Sequence, residues 1–138
     1  MIAFLQTAPA GEPPYLALTV FLCLTVVLIV ADLWTGFRGN RRAHVPCALI
    51  TVVCFALAIF NAEKVGGYWR FEALYLKIHL AAAYAGTALA LLTVVTGVLH
   101  FFNKMGRVWH KRIALLFVVF VFLSTATALL MFQHGVRR

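Results

Sequence analysis

Five histidines, His44, His79, His100, His110 and His134, are the side chains of this sequence best equipped for chemistry, and each stands at or near the end of a long apolar stretch. Ionisable groups are expensive inside a bilayer, so those kept at its margins mark a site in a way that apolar neighbours do not. A neutral imidazole is also a common nitrogen ligand for metal ions and for haem iron. Soluble catalytic arrangements are missing from the sequence: there is no Ser/His/Asp set, no glycine-rich phosphate loop and no cysteine–histidine zinc spacing. The histidines therefore point to metal or haem ligation rather than to substrate turnover.

The elements that must position them are read from composition. The chain has 138 residues, of which 64% are hydrophobic and 12% charged, with a mean hydropathy of +0.96. A soluble domain carries roughly a quarter charged residues. Four apolar runs, Tyr15 to Phe37, His44 to Asn61, Leu74 to Phe102 and Val108 to Gln133, are each long enough for the roughly 20 residues that cross a hydrocarbon core. They are solidly apolar rather than alternating, so helices are expected and not barrel strands. The expectation is an all-α integral membrane protein, a four-helix transmembrane bundle in up-down-up-down order. Met1 to Pro14, with Ala8-Pro9-Ala10-Gly11-Glu12-Pro13-Pro14, reads as an exposed non-helical lead-in that is retained. Short polar turns at Arg38 to Ala43 and Asn103 to Arg107 make two antiparallel hairpins. The longer Ala62 to Phe71 segment, with Gly66-Gly67-Tyr68-Trp69, is expected at headgroup level.

The net charge of +8 belongs to this membrane setting and not to nucleic acid. Seven basic residues (Arg38, Arg41, Arg42, Lys104, Arg107, Lys111, Arg112) flank the two turns, and the other five (Lys64, Arg70, Lys77, Arg137, Arg138) share their side with Glu12, Glu63 and Glu72. The positive-inside rule then puts the turns in the cytoplasm and both termini outside, in a bacterial-type inner membrane. The basic rim also suits anionic headgroups. Cys23, Cys47 and Cys54 read as small buried hydrophobes, with a Cys23–Cys54 redox pair the less favoured reading.

On the third helix His79 and His100 are offset by about 60° and separated by roughly 31 Å, so they share a broad face at opposite membrane ends. Chain direction places His44, His100 and His110 at the turn side, and His79 and His134 at the other. Histidines on facing helices at one depth, with small residues nearby, are what bis-histidine haem ligation requires. Ala81, Ala82, Ala83, Gly86 and Gly97 are such residues, although small residues also serve close helix packing. The candidate cofactor ligands at the turn side are thus His44, His100 and His110; an outer site has only the weaker pair His79 and His134, and His79 joins the cofactor ligands through the resemblance given below. The candidate metal group, for haem iron or copper, is His44, His100 and His110. Asp32 reads either as an acceptor for an imidazole N–H or as an ion-pair partner for Arg38, Arg41 or Arg42, the latter being favoured. His134, before the basic tail, is the weakest candidate.

The order of a basic turn with His44, then Tyr75-Leu76-Lys77-Ile78-His79-Leu80-Ala81, then His110-Lys111-Arg112-Ile113-Ala114 resembles the small membrane proteins of the CtaM type, linked to maturation of haem-copper cytochrome oxidases. The resemblance implies that His44, His79 and His110 match that family's histidines; His100 is additional, and no proline follows His79. The third and fourth helices also resemble compact four-helix b-type membrane cytochromes and the haem-bearing anchors of respiratory complexes, which His100 fits better. Either resemblance implies respiratory electron transport, with haem b or an oxidase-assembly role and a larger respiratory membrane complex as partner. A cofactor-free accessory subunit of such a complex is the alternative, supported by the bulky run Leu115 to Leu123. A transporter is disfavoured by the lack of a broken helix.

Overall fold

A computed structural model of the chain describes residues 11–138; most of the expected lead-in, residues 1–10, lies outside the described residues. The four expected helices are present: α1 (Tyr15–Arg38), α2 (Arg41–Gly66), α3 (Ala73–Phe101) and α4 (Arg107–Gln133). All four are long and apolar enough to cross a membrane, and the chain is an all-α, multi-pass membrane protein. With no water in hydrocarbon, each helix satisfies its own backbone. Leu16, Val27, Leu49, Leu91, Phe122 and Leu129 are each more than 60% exposed. In water such surface would drive association, whereas in lipid it is solvation.

The chain divides into two compact units, one built on α1 and α2 and the other on α3 and α4. The first also holds β1 (Trp69–Arg70) and the terminal Arg137 and Arg138. Strand β2 (Val136–Arg137) pairs with β1, and the Arg138 amide donates to the Tyr68 carbonyl at 2.9 Å. The buried residues of α2, Thr51, Cys54, Ala58, Asn61 and Val65, fall at alternating spacings of three and four. This single stripe is the seam pattern of a packed helix. In the second unit Gly86 permits close approach, since a Cβ there would lie 3.7 Å from the Phe120 Cβ and 3.8 Å from its carbonyl carbon. Gly86 therefore serves helix packing.

Both hairpin turns begin with the same backbone device. At the end of α1 the Gly39 amide donates to the Gly36 carbonyl and the Asn40 amide to the Thr35 carbonyl, with Gly39 left-handed at φ 72°. At the end of α3 the Asn103 amide donates to the His100 carbonyl and the Lys104 amide to the Leu99 carbonyl, with Asn103 left-handed at φ 56°. These are two Schellman caps, and they satisfy the last carbonyls where each helix stops. Asn40 then caps α2, its side-chain oxygen accepting from the Ala43 amide at 3.3 Å.

That cap starts α2 at Arg41 rather than His44, and the helix continues to Gly66, well past Asn61. Apolar length reports the hydrocarbon crossing, whereas capping and backbone bonding decide where the helix ends. Pro46 is accommodated inside α2. Its missing N–H leaves the Arg42 carbonyl without that helical bond, close to the turn where water can replace it. The Ala62 to Phe71 segment is accordingly shorter than expected, and its Trp69 indole donates to the Tyr15 hydroxyl at 3.0 Å.

The αL caps predict an asymmetry. Gly39→Ala should lower stability by about 1 kcal/mol, because a Cβ is strained at that φ. Gly66→Ala, where a Cβ meets nothing within 4 Å, should cause no loss. Unfolding in detergent, followed by helical circular dichroism, compares them; equal effects would contradict the cap.

Candidate functional site

Threonines set up the site. In α1 the Thr35 hydroxyl donates to the Ala31 carbonyl at 2.8 Å; in α3 Thr96 donates to Leu92 at 2.8 Å; in α4 Thr127 donates to Leu123 at 2.9 Å. A hydroxyl has one proton, so once it is returned to the helix the oxygen can only accept. Each of these oxygens faces an imidazole Nδ1.

In the α3–α4 unit His79 Nδ1 lies 3.2 Å from the Ser124 carbonyl and 3.3 Å from Thr127 Oγ1. His100 Nδ1 lies 3.1 Å from the Met105 carbonyl, in the turn. His110 Nδ1 lies 3.2 Å from Thr96 Oγ1. A carbonyl cannot donate, so Nδ1 carries the proton in His79 and His100, and the donated Thr96 hydroxyl assigns it likewise in His110. In the neutral ring Nε2 then holds the lone pair. Metal-binding histidines are commonly oriented in this way, with the second nitrogen bonded to a protein acceptor.

His100 and His110 come together. Their rings are near-parallel, 15° apart in plane, with centroids 6.1 Å apart. The seam is tight here, since a Cβ on Gly97 would come within 3.2 Å of His110 Cε1. Gly97 therefore leaves the His110 ring room that a Cβ would crowd. His79 sits toward the other end of α3. Beside its Thr127 anchor an open apolar groove of about 350 Å³ is lined by Ile78, Ala81, Ala82, Phe120, Leu123 and Thr127. His134 ends α4 and stacks on Tyr75 with centroids 4.3 Å apart.

His44 belongs to the α1–α2 unit. Its Nδ1 lies 3.4 Å from Thr35 Oγ1 and 3.6 Å from Asp32 Oδ1, and its ring is seated on Gly36. The other carboxylate oxygen of Asp32 accepts the Thr51 hydroxyl at 2.6 Å. The same hydroxyl lies 2.9 Å from the Cys47 carbonyl, so its one proton is shared between two acceptors. The favoured expectation for Asp32, an arginine partner, is not what forms: Arg38 turns back over the Trp34 ring, 4.2 Å from its centroid. Stacking on an interfacial aromatic keeps that guanidinium at the boundary. Asp32 instead takes its other expected role, as neighbour to an imidazole.

Among the described residues no group of three or more His, Cys, Asp or Glu side chains is placed to hold a metal ion. Of the expected trio of His44, His100 and His110, the α3–α4 unit brings His100 and His110 together, and His44 lies in the α1–α2 unit beside Asp32 and Thr35. Cys23, Cys47 and Cys54 are free thiols; Cys23 is exposed and Cys54 buried, so burial fits Cys54 but not Cys23. Sequence reasoning missed Thr35, Thr51, Thr96 and Thr127. The signal for two of them was a repeated dipeptide, Thr35-Gly36 and Thr96-Gly97, ahead of each basic turn.

Comparison with known protein families, with curated proteins and with solved structures returned no match.

The acceptors predict tautomers. Nitrogen-15 spectra of histidine-labelled protein at neutral pH should show His79 and His100 with Nδ1 protonated and Nε2 bare. A dominant Nε2–H form would contradict the anchoring.

Proposed function

We propose that this chain is an integral membrane protein of respiratory electron transport, whose α3–α4 unit ligates a redox metal through imidazoles, as haem b or as copper in haem-copper oxidase maturation. Nδ1 anchoring carries this reading. An imidazole that only snorkels to headgroups needs no fixed tautomer, whereas a ligand needs one nitrogen held by the protein and the other presented to the metal.

The donor set fits the group in kind. His100 and His110 would hold a metal between them, and His79 would supply a separate axial ligand beside the apolar groove. The tight seam at Gly97 favours a metal ion over a porphyrin within the α3–α4 seam at that depth. Haem or copper, when bound, supplies a one-electron centre. The chain's own part is to fix the imidazoles and to exclude water with an apolar surround. Nothing in the arrangement activates a nucleophile or positions a substrate bond, so the role is electron transfer or assembly. The seven basic residues around the turns support a cytoplasmic face there and termini outside, in a bacterial-type inner membrane.

A cofactor-free accessory subunit is the second reading. It is favoured by the exposed row Leu115, Leu116, Val119, Phe122 and Leu123, a single face of α4 fit for lipid or for a helix of a larger respiratory complex.

Protein purified from a respiring membrane distinguishes the two. Metal analysis and a reduced-minus-oxidised spectrum should show stoichiometric copper or a b-type haem band. His100→Ala and His110→Ala should each lower the metal content roughly tenfold or more. Metal-free protein with no spectral band, from membranes supplied with iron and copper, would overturn the proposal in favour of the accessory subunit.

A further inference from the structure

At the end of the α1–α2 unit away from its turn, α1 begins and α2 stops beside a cavity of about 380 Å³ lined by Glu12, Pro14, Lys64 and Tyr68. Backbone bonds hold its walls. The Tyr15 amide donates to the Pro13 carbonyl at 2.8 Å and the Leu18 amide to the Pro14 carbonyl at 3.0 Å. Pro13 is buried, and the two proline rings fix φ at both positions, so Glu12 is carried on a stiff approach to α1. Tyr68 is held from two sides, its amide donating to the Val65 carbonyl at 3.1 Å and its carbonyl accepting from the Arg138 amide at 2.9 Å.

The charges lining this cavity are opposite and apart. Among the described residues Glu12 and Lys64 form no ion pair with each other or with another group, and both are exposed. Side chains on a helix lean toward its N-terminus. Since α2 runs from the turn to this end, Lys64 leans back toward the hydrocarbon, and its Nζ lies 4.3 Å from the centroid of the exposed Phe60 ring, one turn deeper. Ammonium groups at a span end usually extend outward to water; this one is kept at the edge of the apolar layer. Glu12 stands ahead of α1, on the water side of the cavity. Tyr15 and Trp69, joined through the indole–phenol bond, mark the same level as the membrane boundary. From the bilayer outward the order is therefore aromatic ring, cation, anion.

We propose that this cavity binds the headgroup of a zwitterionic membrane phospholipid bearing a primary ammonium, the phosphatidylethanolamine class. Such a lipid runs acyl chain, phosphate, ammonium from the bilayer outward, the complement of Phe60, Lys64 and Glu12 in that order. The phosphate oxygens accept from the Lys64 ammonium, the lipid ammonium donates to the Glu12 carboxylate, and an acyl chain lies on Phe60. The cavity is of a size for a headgroup, near the lower end of the roughly 300–1,000 Å³ of small-molecule clefts. An anionic lipid without the ammonium meets Lys64 but sets its negative charge against Glu12. A choline headgroup has the charge but no N–H to donate. The site uses none of the five histidines and does not depend on metal ligation.

The test is native mass spectrometry of the full chain, delipidated in detergent and given equal concentrations of phosphatidylethanolamine, phosphatidylcholine and phosphatidylglycerol with identical acyl chains. Phosphatidylethanolamine should be retained several-fold above the other two, at one lipid per chain. Glu12→Gln should abolish its advantage over phosphatidylglycerol, and Lys64→Gln should lower retention of every lipid. Both side chains are exposed, and helical circular dichroism verifies that each variant folds. Glu63→Gln, the same charge change at an exposed α2 residue outside the cavity, should retain lipid as wild type does. Glycerophosphoethanolamine, the same headgroup without acyl chains, should not displace the lipid at equal concentration. Retention of no lipid, equal retention of all, or preference for phosphatidylglycerol would overturn the proposal. So would retention unaltered in both Glu12→Gln and Lys64→Gln, or displacement by glycerophosphoethanolamine.

Discussion

Polar hydrogens in hydrocarbon must be given an acceptor, and this chain meets that constraint with its own helices. Thr25, Thr35, Thr87, Thr93, Thr96, Thr125 and Thr127 each return their hydroxyl to a carbonyl four residues back. The bond is local and needs no partner helix. Its consequence is chemical, because each oxygen becomes an acceptor. Thr35, Thr96 and Thr127 then receive imidazole nitrogens, and so the same bond that lets threonine live in lipid orients a histidine. For His110 the tautomer follows from this bond, and for His79 and His100 from a backbone carbonyl.

The two units use this device with different acceptors. In α3–α4 the acceptors are neutral, a carbonyl or a hydroxyl, and each faces an imidazole Nδ1. In α1–α2 the ring meets a carboxylate as well, at 3.6 Å. Small residues line both seats: a Cβ on Gly97 would crowd its ring at 3.2 Å, and one on Gly36 would make ordinary contact at 3.5 Å. The caps reinforce the seats: Gly39 and Asn103 stop α1 and α3 close to the histidines that the following helices contribute.

Much of the fold was legible because lipid imposes a simple rule of length and polarity. All four helices follow from their apolar runs. The ends were less legible: Arg41 and Arg42 look like turn residues until Asn40 is seen to cap them, and Glu63 to Val65 look like a loop although the helix continues through them. The histidines of the site were visible as the ionisable groups at the span ends. Their partners were not, since threonine is unremarkable in a membrane helix and only its spatial relation to Nδ1 gives it a role. Asp32 could be read toward an arginine or an imidazole, and one-dimensional proximity favoured the arginines. The geometry of Trp34, which takes up Arg38, decided otherwise.

Pulsed electron paramagnetic resonance of the metal bound to the purified protein tests the central claim most directly, because it reads the remote nitrogen of each coordinated imidazole. The account predicts imidazole modulations that change on nitrogen-15 histidine labelling, diminish in His100→Ala, and disappear when His79, His100 and His110 are all replaced. A bound metal without imidazole modulations, or with modulations unchanged in the triple variant, would contradict it.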